Sequence, residues 1–259
     1  MDYALLERPP VPPIDSYESI IARHYDALYA VVRDPSGDVA FYRELARASG
    51  GPVLELGCGT GRTLLPIAEA GIECVGVDAS PAMLAVFRRK SPPPNLELVE
   101  ARMERLDLAN RRFRLVTCPF RAFSHLPEVE AQLAALTAVR RHLEPGGTFA
   151  LDVFDPKLAQ IARLEEPEHL AATFHDAGRE VRRWDTTRRD PSRQVMTIGF
   201  RFESAAPELC GAGEIQIRWF YRFELEHLLA RAGFREIQFF GGFDRRPWAA
   251  GGETIALAR

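Results

Sequence analysis

Residues 53–61 read VLELGCGTG, and this stretch decides the fold. A short apolar strand carries an acid at Glu55 and is followed by glycines at positions 57, 59 and 61, after which residues 62–70 have the pattern of a helix. Glycine permits the sharp turn between strand and helix, and it lets a ligand lie directly on main-chain N–H groups at the helix N-terminus. The stretch therefore predicts a strand–loop–helix unit with a ligand-binding loop.

The glycine spacing and the next strand indicate the kind of ligand. The loop reads G-x-G-x-G, whereas a dinucleotide-binding loop would read G-x-G-x-x-G and would need glycine where Arg62 stands. Residues 74–78 read CVGVD, a second predicted strand that ends in Asp78. A carboxylate at that place can accept hydrogen bonds from both hydroxyls of a ribose. Together the loop and Asp78 predict a pocket for a nucleoside-bearing cofactor.

The composition limits the function classes. The 259 residues suffice for one α/β domain with an elaboration. A net charge of −3 gives no overall attraction to nucleic acid. The four cysteines lack C-x-x-C spacing and favour a reduced cytoplasm over disulfides or a zinc site. The chain shows no signal-like N-terminus and no run of about 18 apolar residues, so we expect a cytoplasmic protein with no metal, membrane or nucleic-acid partner.

The order of predicted elements indicates the architecture. Strands and helices alternate over residues 53–153, which predicts an α/β fold with a doubly wound, mostly parallel sheet. After residue 154 the alternation gives way to segments rich in β-branched and aromatic residues, separated by turn sequences typical of antiparallel hairpins. We expect four parts: a lead-in and helical lid over 1–50, a cofactor-binding core over 51–171, an antiparallel β insertion over 172–221 at the mouth of the sheet, and a C-terminal helix with closing strands over 222–259.

The loop and the acid of the second strand resemble those of the class I S-adenosylmethionine-dependent methyltransferases. In that family an E/D-x-G-x-G-x-G loop holds the methionine part of the cofactor, and the second acid holds its ribose. The later segment LEPGGT at residues 143–148 matches the same family. The pattern F-x-x-x-x-H-L at residues 120–126, with residues 220–234, is similar to a bacterial subgroup of small-molecule methyltransferases.

The resemblance covers roughly residues 16–259 and implies both fold and activity. The fold is a Rossmann-like, mostly parallel seven-stranded sheet. The cofactor is S-adenosylmethionine, and the methyl group goes to a nitrogen or oxygen atom of a small-molecule acceptor.

The resemblance also implies where the cofactor lies. Asp78 is expected to hold the ribose, although it could at the same time cap the helix over 81–89. Cys58 is expected as a small residue rather than as a nucleophile, and Met83 either contacts the adenine or is buried in its helix. The cofactor positions implied by these first two strands are Glu55, Gly57, Cys58, Gly59, Thr60, Gly61, Asp78, Ala79 and Met83.

Two later segments complete the expected cofactor site. After the third strand the family usually has an acid that binds the adenine amine, but this chain has Arg102 there. We expect either that the backbone N–H of Met103 recognises the adenine, or that Arg102 faces solvent and a neighbour substitutes. Pro119 and Phe120 follow the fourth strand and are expected to border the transferring methyl group.

Two side chains are candidates for the chemistry. Methyl transfer is an in-line displacement in which positioning supplies most of the rate, and a general base helps when the acceptor carries a proton. His125 is the candidate base, because its ordinary pKa lies near neutral pH; the alternative is that it hydrogen-bonds a loop carbonyl. Tyr25 shares one helix face with Tyr29 and either closes over the cofactor's sulfonium or simply packs. Residues 219–221 either line the acceptor pocket or pack the insertion onto the sheet.

Two other functions stay open at this point. An RNA or protein methyltransferase is one alternative, because five arginines near one predicted hairpin could bind RNA or an acidic substrate. A solvated surface is the default interpretation of these arginines: Arg182, Arg183, Arg188, Arg189 and Arg193. The absence of a base-gripping [D/N/S]-P-P-[Y/F] motif disfavours an RNA methyltransferase. Arg102, with Arg114 where the family commonly has an acid, keeps open a cofactor-binding module that no longer catalyses. A homodimer is also open, because strand edges of the insertion could pair.

Overall fold

The computed structural model describes residues 17–32, 37–155 and 157–259. Its strands are β1 (Val53–Leu56), β2 (Cys74–Asp78), β3 (Leu96–Glu100), β4 (Phe113–Cys118), β5 (Leu143–Phe154), β6 (Glu165–Asp176), β7 (Arg179–Asp190), β8 (Val195–Ser204), β9 (Gly211–Arg218), β10 (Ile237–Phe240) and β11 (Glu253–Ala258). Its α-helices are α1 (Tyr17–Val32), α2 (Asp38–Ser49), α3 (Leu64–Glu69), α4 (Pro81–Arg89), α5 (Val129–His142), α6 (Leu158–Ile161) and α7 (Arg222–Arg231). The predicted lead-in over residues 1–14 and the predicted cap at Ser16 lie outside the described residues.

Seven strands form the central sheet, in the order β10-β11-β5-β4-β1-β2-β3. All its pairings are parallel except those of β11, which runs antiparallel to both neighbours. One face is covered by α5 and α7, and the other by α2, α3 and α4. Because both faces are covered, the central strands are mostly apolar, and every residue of β1 is buried, Glu55 included. The predicted seven-stranded, mostly parallel α/β fold is confirmed.

The remaining four strands form a separate antiparallel sheet in the order β6-β7-β8-β9, which we call the second sheet. It runs from Glu165 to Arg218, so the expected start of the β insertion at residue 172 is wrong, and its last strand ends before residue 221. The start was missed because β6 is an edge strand with mostly exposed side chains, so no apolar alternation marks it. Before this strand the chain forms only the four-residue helix α6.

Helix α1 crosses the mouth of the central sheet and is attached at both sides. On one side Ile20 and Leu28 are buried against aromatic side chains of the second sheet. The buried His24 bonds the Asp176 carboxylate through Nδ1 at 2.7 Å and the Leu209 carbonyl through Nε2 at 3.0 Å. On the other side Asp26 accepts a 2.7 Å hydrogen bond from the Thr60 hydroxyl of the glycine loop. The helix therefore lies over the mouth of the sheet, at the place where the lid is predicted.

No helix in the described ranges is long and apolar enough to cross a membrane.

The third glycine of the loop is required by packing as well as by backbone conformation. Gly61 has a φ of 86°, and a Cβ there would lie 2.2 Å from the Phe87 ring of α4. Gly71 has the same φ of 86°, but a Cβ there would meet nothing within 4 Å. An alanine at either position would have the same backbone strain, but only at Gly61 would its Cβ also overlap a neighbouring side chain.

We predict that Gly61→Ala destabilises the fold more than Gly71→Ala does. Both variants carry left-handed strain of roughly 1–2 kcal/mol, and Gly61→Ala adds an overpacking cost of about 1–3 kcal/mol against Phe87. Urea denaturation of the two variants and the wild type measures the difference. Equal losses of unfolding free energy would contradict the packing role of Gly61.

Candidate active site

A cavity of about 490 Å³ lies at the carboxyl ends of β1, β2, β3 and β4, beneath α1 and the second sheet. This is the edge at which ligands bind in doubly wound folds. Eleven predicted site residues line it: Tyr25, Gly57, Gly59, Asp78, Ala79, Met83, Arg102, Met103, Pro119, Phe120 and His125. The other four, Glu55, Cys58, Thr60 and Gly61, do not line the cavity and lie behind or beside the loop.

The first two glycines of the loop shape one end of the cavity. Gly57 has a φ of 67°, and a Cβ there would lie 2.5 Å from the Cβ of Ala122, so only glycine fits. A Cβ on Gly59, with a φ of 54°, would meet nothing within 4 Å, because that side of the loop faces open space. The backbone is therefore accessible where a methionine-sized group would lie, and the loop fits the family's cofactor.

The carboxylate of Asp78 is fixed by backbone donors. Its Oδ2 accepts a 2.7 Å hydrogen bond from the Gly59 N–H, and its Oδ1 accepts one of 2.8 Å from the Ser80 N–H. These two backbone donors fix the orientation of the carboxylate at the carboxyl end of β2. The helix-capping alternative for Asp78 is wrong, because Ser80 caps α4 by accepting from the Met83 N–H.

The four loop residues outside the cavity have structural contacts. Burial raises the pKa of the Glu55 carboxyl from an ordinary value of 4.5 to about 8, although the Thr117 hydroxyl donates a 3.3 Å hydrogen bond to it. Burial also raises the pKa of the Cys58 thiol well above its ordinary range, which makes that thiol a poor nucleophile. Thr60 bonds to the lid, and Gly61 packs on α4.

At the carboxyl end of β3, where the family usually has an acid that binds the adenine amine, this chain has Arg102. The Arg102 side chain is 61% exposed and pairs with Glu104, whose own side chain is 13% exposed and lines the cavity. Met103 begins a short 3₁₀ helix beside them. The acid at this end is therefore Glu104, and the sequence pattern places it two residues later than the family does.

The turn after β4 forms the floor beneath the lid. Phe120 and Arg121 have φ values of 56° and 61°, a left-handed conformation that is strained for residues other than glycine. The buried carboxylate of Asp152 holds it by accepting from the Phe120 N–H at 2.8 Å, the Arg121 N–H at 3.2 Å and the Tyr42 hydroxyl at 2.7 Å. Sequence reasoning missed Asp152, although an acid near the end of an otherwise apolar fifth strand was a signal.

Aromatic rings of the lid meet this turn. The Tyr25 and Tyr29 ring centroids lie 4.6 Å apart, and the Tyr29 and Phe120 centroids lie 4.9 Å apart. The Arg62 guanidinium lies over the opposite side, 4.8 Å from the Phe120 centroid. The cluster closes the cavity above the turn.

His125 ends a 3₁₀ helix that begins at Ala122 and faces the cavity. Solvent in the cavity reaches the ring, yet the surrounding walls desolvate it and lower its pKa below the ordinary value of 6.5. Among the described residues none forms a hydrogen bond with the imidazole, so the alternative of a bond to a loop carbonyl finds no support. The free ring can exchange a proton with a molecule in the cavity.

The second sheet supplies the far wall, which sequence reasoning did not identify residue by residue. Ile198, Phe200, Ile215 and Ile217 line the cavity, and their alternation along β8 and β9 was the available signal. Trp219 and Phe220 are instead fully buried, and Tyr221 caps α7, so these three residues pack and do not line the pocket.

The arginine cluster is a set of ion pairs. Arg183 lines the cavity and bonds Asp185 at 2.7 Å. The other four arginines each pair with a glutamate: Arg182 with Glu180, Arg188 with Glu214, Arg189 with Glu166, and Arg193 with Glu128. These pairs support the interpretation as a solvated surface rather than an RNA-binding surface.

We predict that Glu55 makes stability fall with rising pH. The folded state holds the Glu55 proton more tightly than the unfolded chain, so this contribution is full below about pH 4.5 and is lost as the pH rises to about 8. Glu55→Gln cannot ionise, so it should gain stability relative to wild type between pH 5 and pH 9 by chemical denaturation. A wild-type-to-variant difference that is constant across this range would contradict the prediction; exposed Glu97→Gln is the control.

We predict that Asp152→Asn weakens both the fold and the cofactor site. An amide nitrogen cannot accept, so at least one bond to the strained turn is lost, at about 1–3 kcal/mol of unfolding free energy. Affinity for S-adenosylhomocysteine, measured by calorimetry, should fall with it. Asp155→Asn is the control, since Asp155 is also buried but accepts from the Gly251 N–H outside the turn. Equal affinities of the two variants would contradict this role.

Comparison with known proteins agrees with the site. A methyltransferase-domain family profile matches residues 53–147. An uncharacterised methyltransferase of Synechocystis is 34% identical over 162 residues, which are 56% of this chain and 74% of that protein. The cypemycin N-terminal methyltransferase of a Streptomyces species is 34% identical over 146 residues, 56% of this chain and 59% of its own length.

Structural comparison extends the likeness along the chain. The CcbJ methyltransferase of Streptomyces caelestis superposes with a TM-score of 0.78 at 27% identity, over 94% of this chain and 97% of that one. This chain therefore combines the glycine loop and the strand order of the central sheet with a sequence that matches known methyltransferases. The chain belongs to the class I S-adenosylmethionine-dependent methyltransferases.

Proposed function

We propose that this protein transfers the methyl group of S-adenosylmethionine to a small-molecule acceptor, at a nitrogen or oxygen atom. The observation that best supports this function is that one cavity has two chemically different ends. The glycine loop and Asp78 form one end, and His125 with the second sheet forms the other. The name of the cypemycin relative, an N-terminal methyltransferase, favours nitrogen.

The first end would hold the cofactor. Gly57 and Gly59 expose backbone to the methionine part, Asp78 accepts from the ribose, and Met83 and Met103 lie against the adenine, with Glu104 near its amine. Ala79 and Pro119 complete this wall, while Glu55, Cys58, Thr60 and Gly61 shape the loop from behind. When bound, the cofactor supplies an electrophilic methyl group on a sulfonium.

The second end would hold the acceptor. With its lowered pKa, His125 is neutral at neutral pH, so its lone pair can take the proton that the acceptor atom releases. Tyr25 and Phe120 close the space between the two ends and exclude water. Because this end is built by the lid, the turn after β4 and the second sheet, acceptor choice depends on the parts that vary most within a fold.

The expected parts of the chain correspond to this division. We propose that residues 1–50 supply the lead-in and the lid, that the cofactor-binding core begins at residue 51, that the second sheet from Glu165 to Arg218 forms the acceptor wall, and that residues 222–259 close the central sheet. We further propose a reduced, cytoplasmic setting, since Cys58, Cys74, Cys118 and Cys210 are all free thiols.

Calorimetric titration with S-adenosylhomocysteine tests the cofactor assignment. We expect one site with a micromolar Kd in the wild type, and a loss of at least tenfold in Asp78→Ala, because the ribose hydroxyls lose their acceptor. Asp107→Ala removes a carboxylate that is 72% exposed, and it should bind like wild type. Binding that is unchanged in Asp78→Ala would refute the ribose contact. Failure of the folded wild type to bind would refute the proposed function.

We predict that His125→Ala lowers kcat by roughly 10²–10⁴-fold on a protonated acceptor, since general-base catalysis typically contributes that factor. S-adenosylhomocysteine affinity should change little, because His125 belongs to the acceptor end. In the wild type, activity should fall as the pH drops through the His125 pKa, below 6.5. Exposed His227→Gln is the control. An unchanged kcat in His125→Ala would show that the acceptor needs no base there.

A further inference from the structure

We propose that the acceptor is an amine on an apolar body without a phosphate group, and that the inner face of the second sheet selects it; this rests on the proposed function. Ile198 and Ile215 stand opposite each other on β8 and β9, and Ile217 stands opposite Met196. Directly opposed residues share one face of a sheet, so these side chains form a continuous apolar wall. Phe200 extends the same wall.

The cations that line the cavity are already paired with carboxylates. Arg183, 12% exposed, bonds Asp185 at 2.7 Å, and its guanidinium lies 5.3 Å from the Phe200 ring centroid. Arg121 bonds Glu253 at 2.7 Å. Arg102 pairs with Glu104. Within the described part of the chain these three arginines are the only guanidinium or ammonium groups that line the cavity.

This charge balance opposes a phosphorylated acceptor. A phosphate that leaves water needs cations or several N–H donors to replace its hydration, and a guanidinium that already holds a carboxylate is partly neutralised. The Asp78 and Glu104 carboxylates at the other end of the cavity add repulsion. A nucleotide diphosphate would therefore enter with its charge uncompensated, whereas an aromatic or aliphatic group gains by covering the isoleucine wall.

The proposed base, His125, lies beside the isoleucine wall. Strand β9 contacts the 3₁₀ helix that carries His125, so Ile217 and the imidazole bound the same volume. An acceptor whose apolar body covers Ile198, Ile215 and Ile217 places a short amine arm near His125. The wall thus sets the specificity, while His125 receives the proton.

Saturation-transfer NMR on the wild-type complex with S-adenosylhomocysteine tests the inference with two probes, phenethylamine and thymidine 5′-diphosphate. We expect saturation of the phenethylamine ring protons and none of the thymidine protons. Ile215→Asp should at least halve the phenethylamine signal, because it places a charge in the wall. Thr197→Asp is the matched control, because Thr197 stands opposite Gln216 on the outer face of the same strand pair. The phenethylamine signal of this variant should equal that of the wild type.

Three outcomes would overturn the inference: saturation of thymidine diphosphate that Ile215→Asp abolishes, no saturation of phenethylamine, or equal phenethylamine signals in Ile215→Asp and wild type. If Ile215→Asp does not fold, Ile215→Thr keeps the β-branched shape and should still reduce the signal. S-adenosylhomocysteine binding is titrated separately on the same samples. Its absence in the folded wild type would overturn the proposed function itself, so the two failures are distinguishable.

Discussion

The hydrogen bond from the Gly59 N–H to the Asp78 carboxylate is the contact on which the site depends. It joins the loop after β1 to the end of β2 and so fixes two neighbouring strands of the parallel sheet at their carboxyl edge. The loop is packed closely on both sides, because Ala122 lies against Gly57 and Phe87 of α4 lies against Gly61. The loop, the end of β2 and the turn after β4 all lie at this edge, so the walls that the central sheet supplies are positioned from it.

The lid and the second sheet convert an open edge into a cavity. Helix α1 reaches both, through His24 toward the second sheet and through Asp26 toward the glycine loop. Tyr29 of the lid and Arg183 of the second sheet both line the cavity, where the guanidinium is bound to Asp185. The acceptor end is therefore an assembly of elements that are distant in sequence. Closure depends on polar contacts of His24 and Asp26 near the middle of α1 and on apolar packing of Ile20 and Leu28 on either side of them.

Much of the core could be predicted, because buried parallel strands and amphipathic helices carry strong local signals. The structure has β2 and α4 at the predicted residues 74–78 and 81–89. The start of β6 was missed because an exposed edge strand needs no apolar alternation. Asp152 and the isoleucine wall were missed for another reason: their roles depend on partners far along the chain, which one sequence does not reveal.

Departures from the family pattern also have physical explanations. Arg102 stands where an acid is usual, but its side chain is largely exposed at the rim of the cavity and pairs with Glu104, which supplies an acid to the cavity lining. Arg114, at another departing position, lies on β4 at its exposed end and contacts Glu144, away from the cavity. Neither change removes a group from the cavity, so neither supports the loss of catalysis that the sequence left open.

Hydrogen–deuterium exchange with and without S-adenosylhomocysteine tests whether the cofactor binds at the carboxyl edge of the central sheet, because it locates the ligand without a variant. We expect slower exchange in the lid and in four backbone segments, with little change on the outer edge at β6; the segments are residues 57–61, 78–83, 101–105 and 119–125. Slower exchange confined to other regions, or no change in a protein that binds the ligand by calorimetry, would contradict the placement of the cofactor at the carboxyl edge of the central sheet.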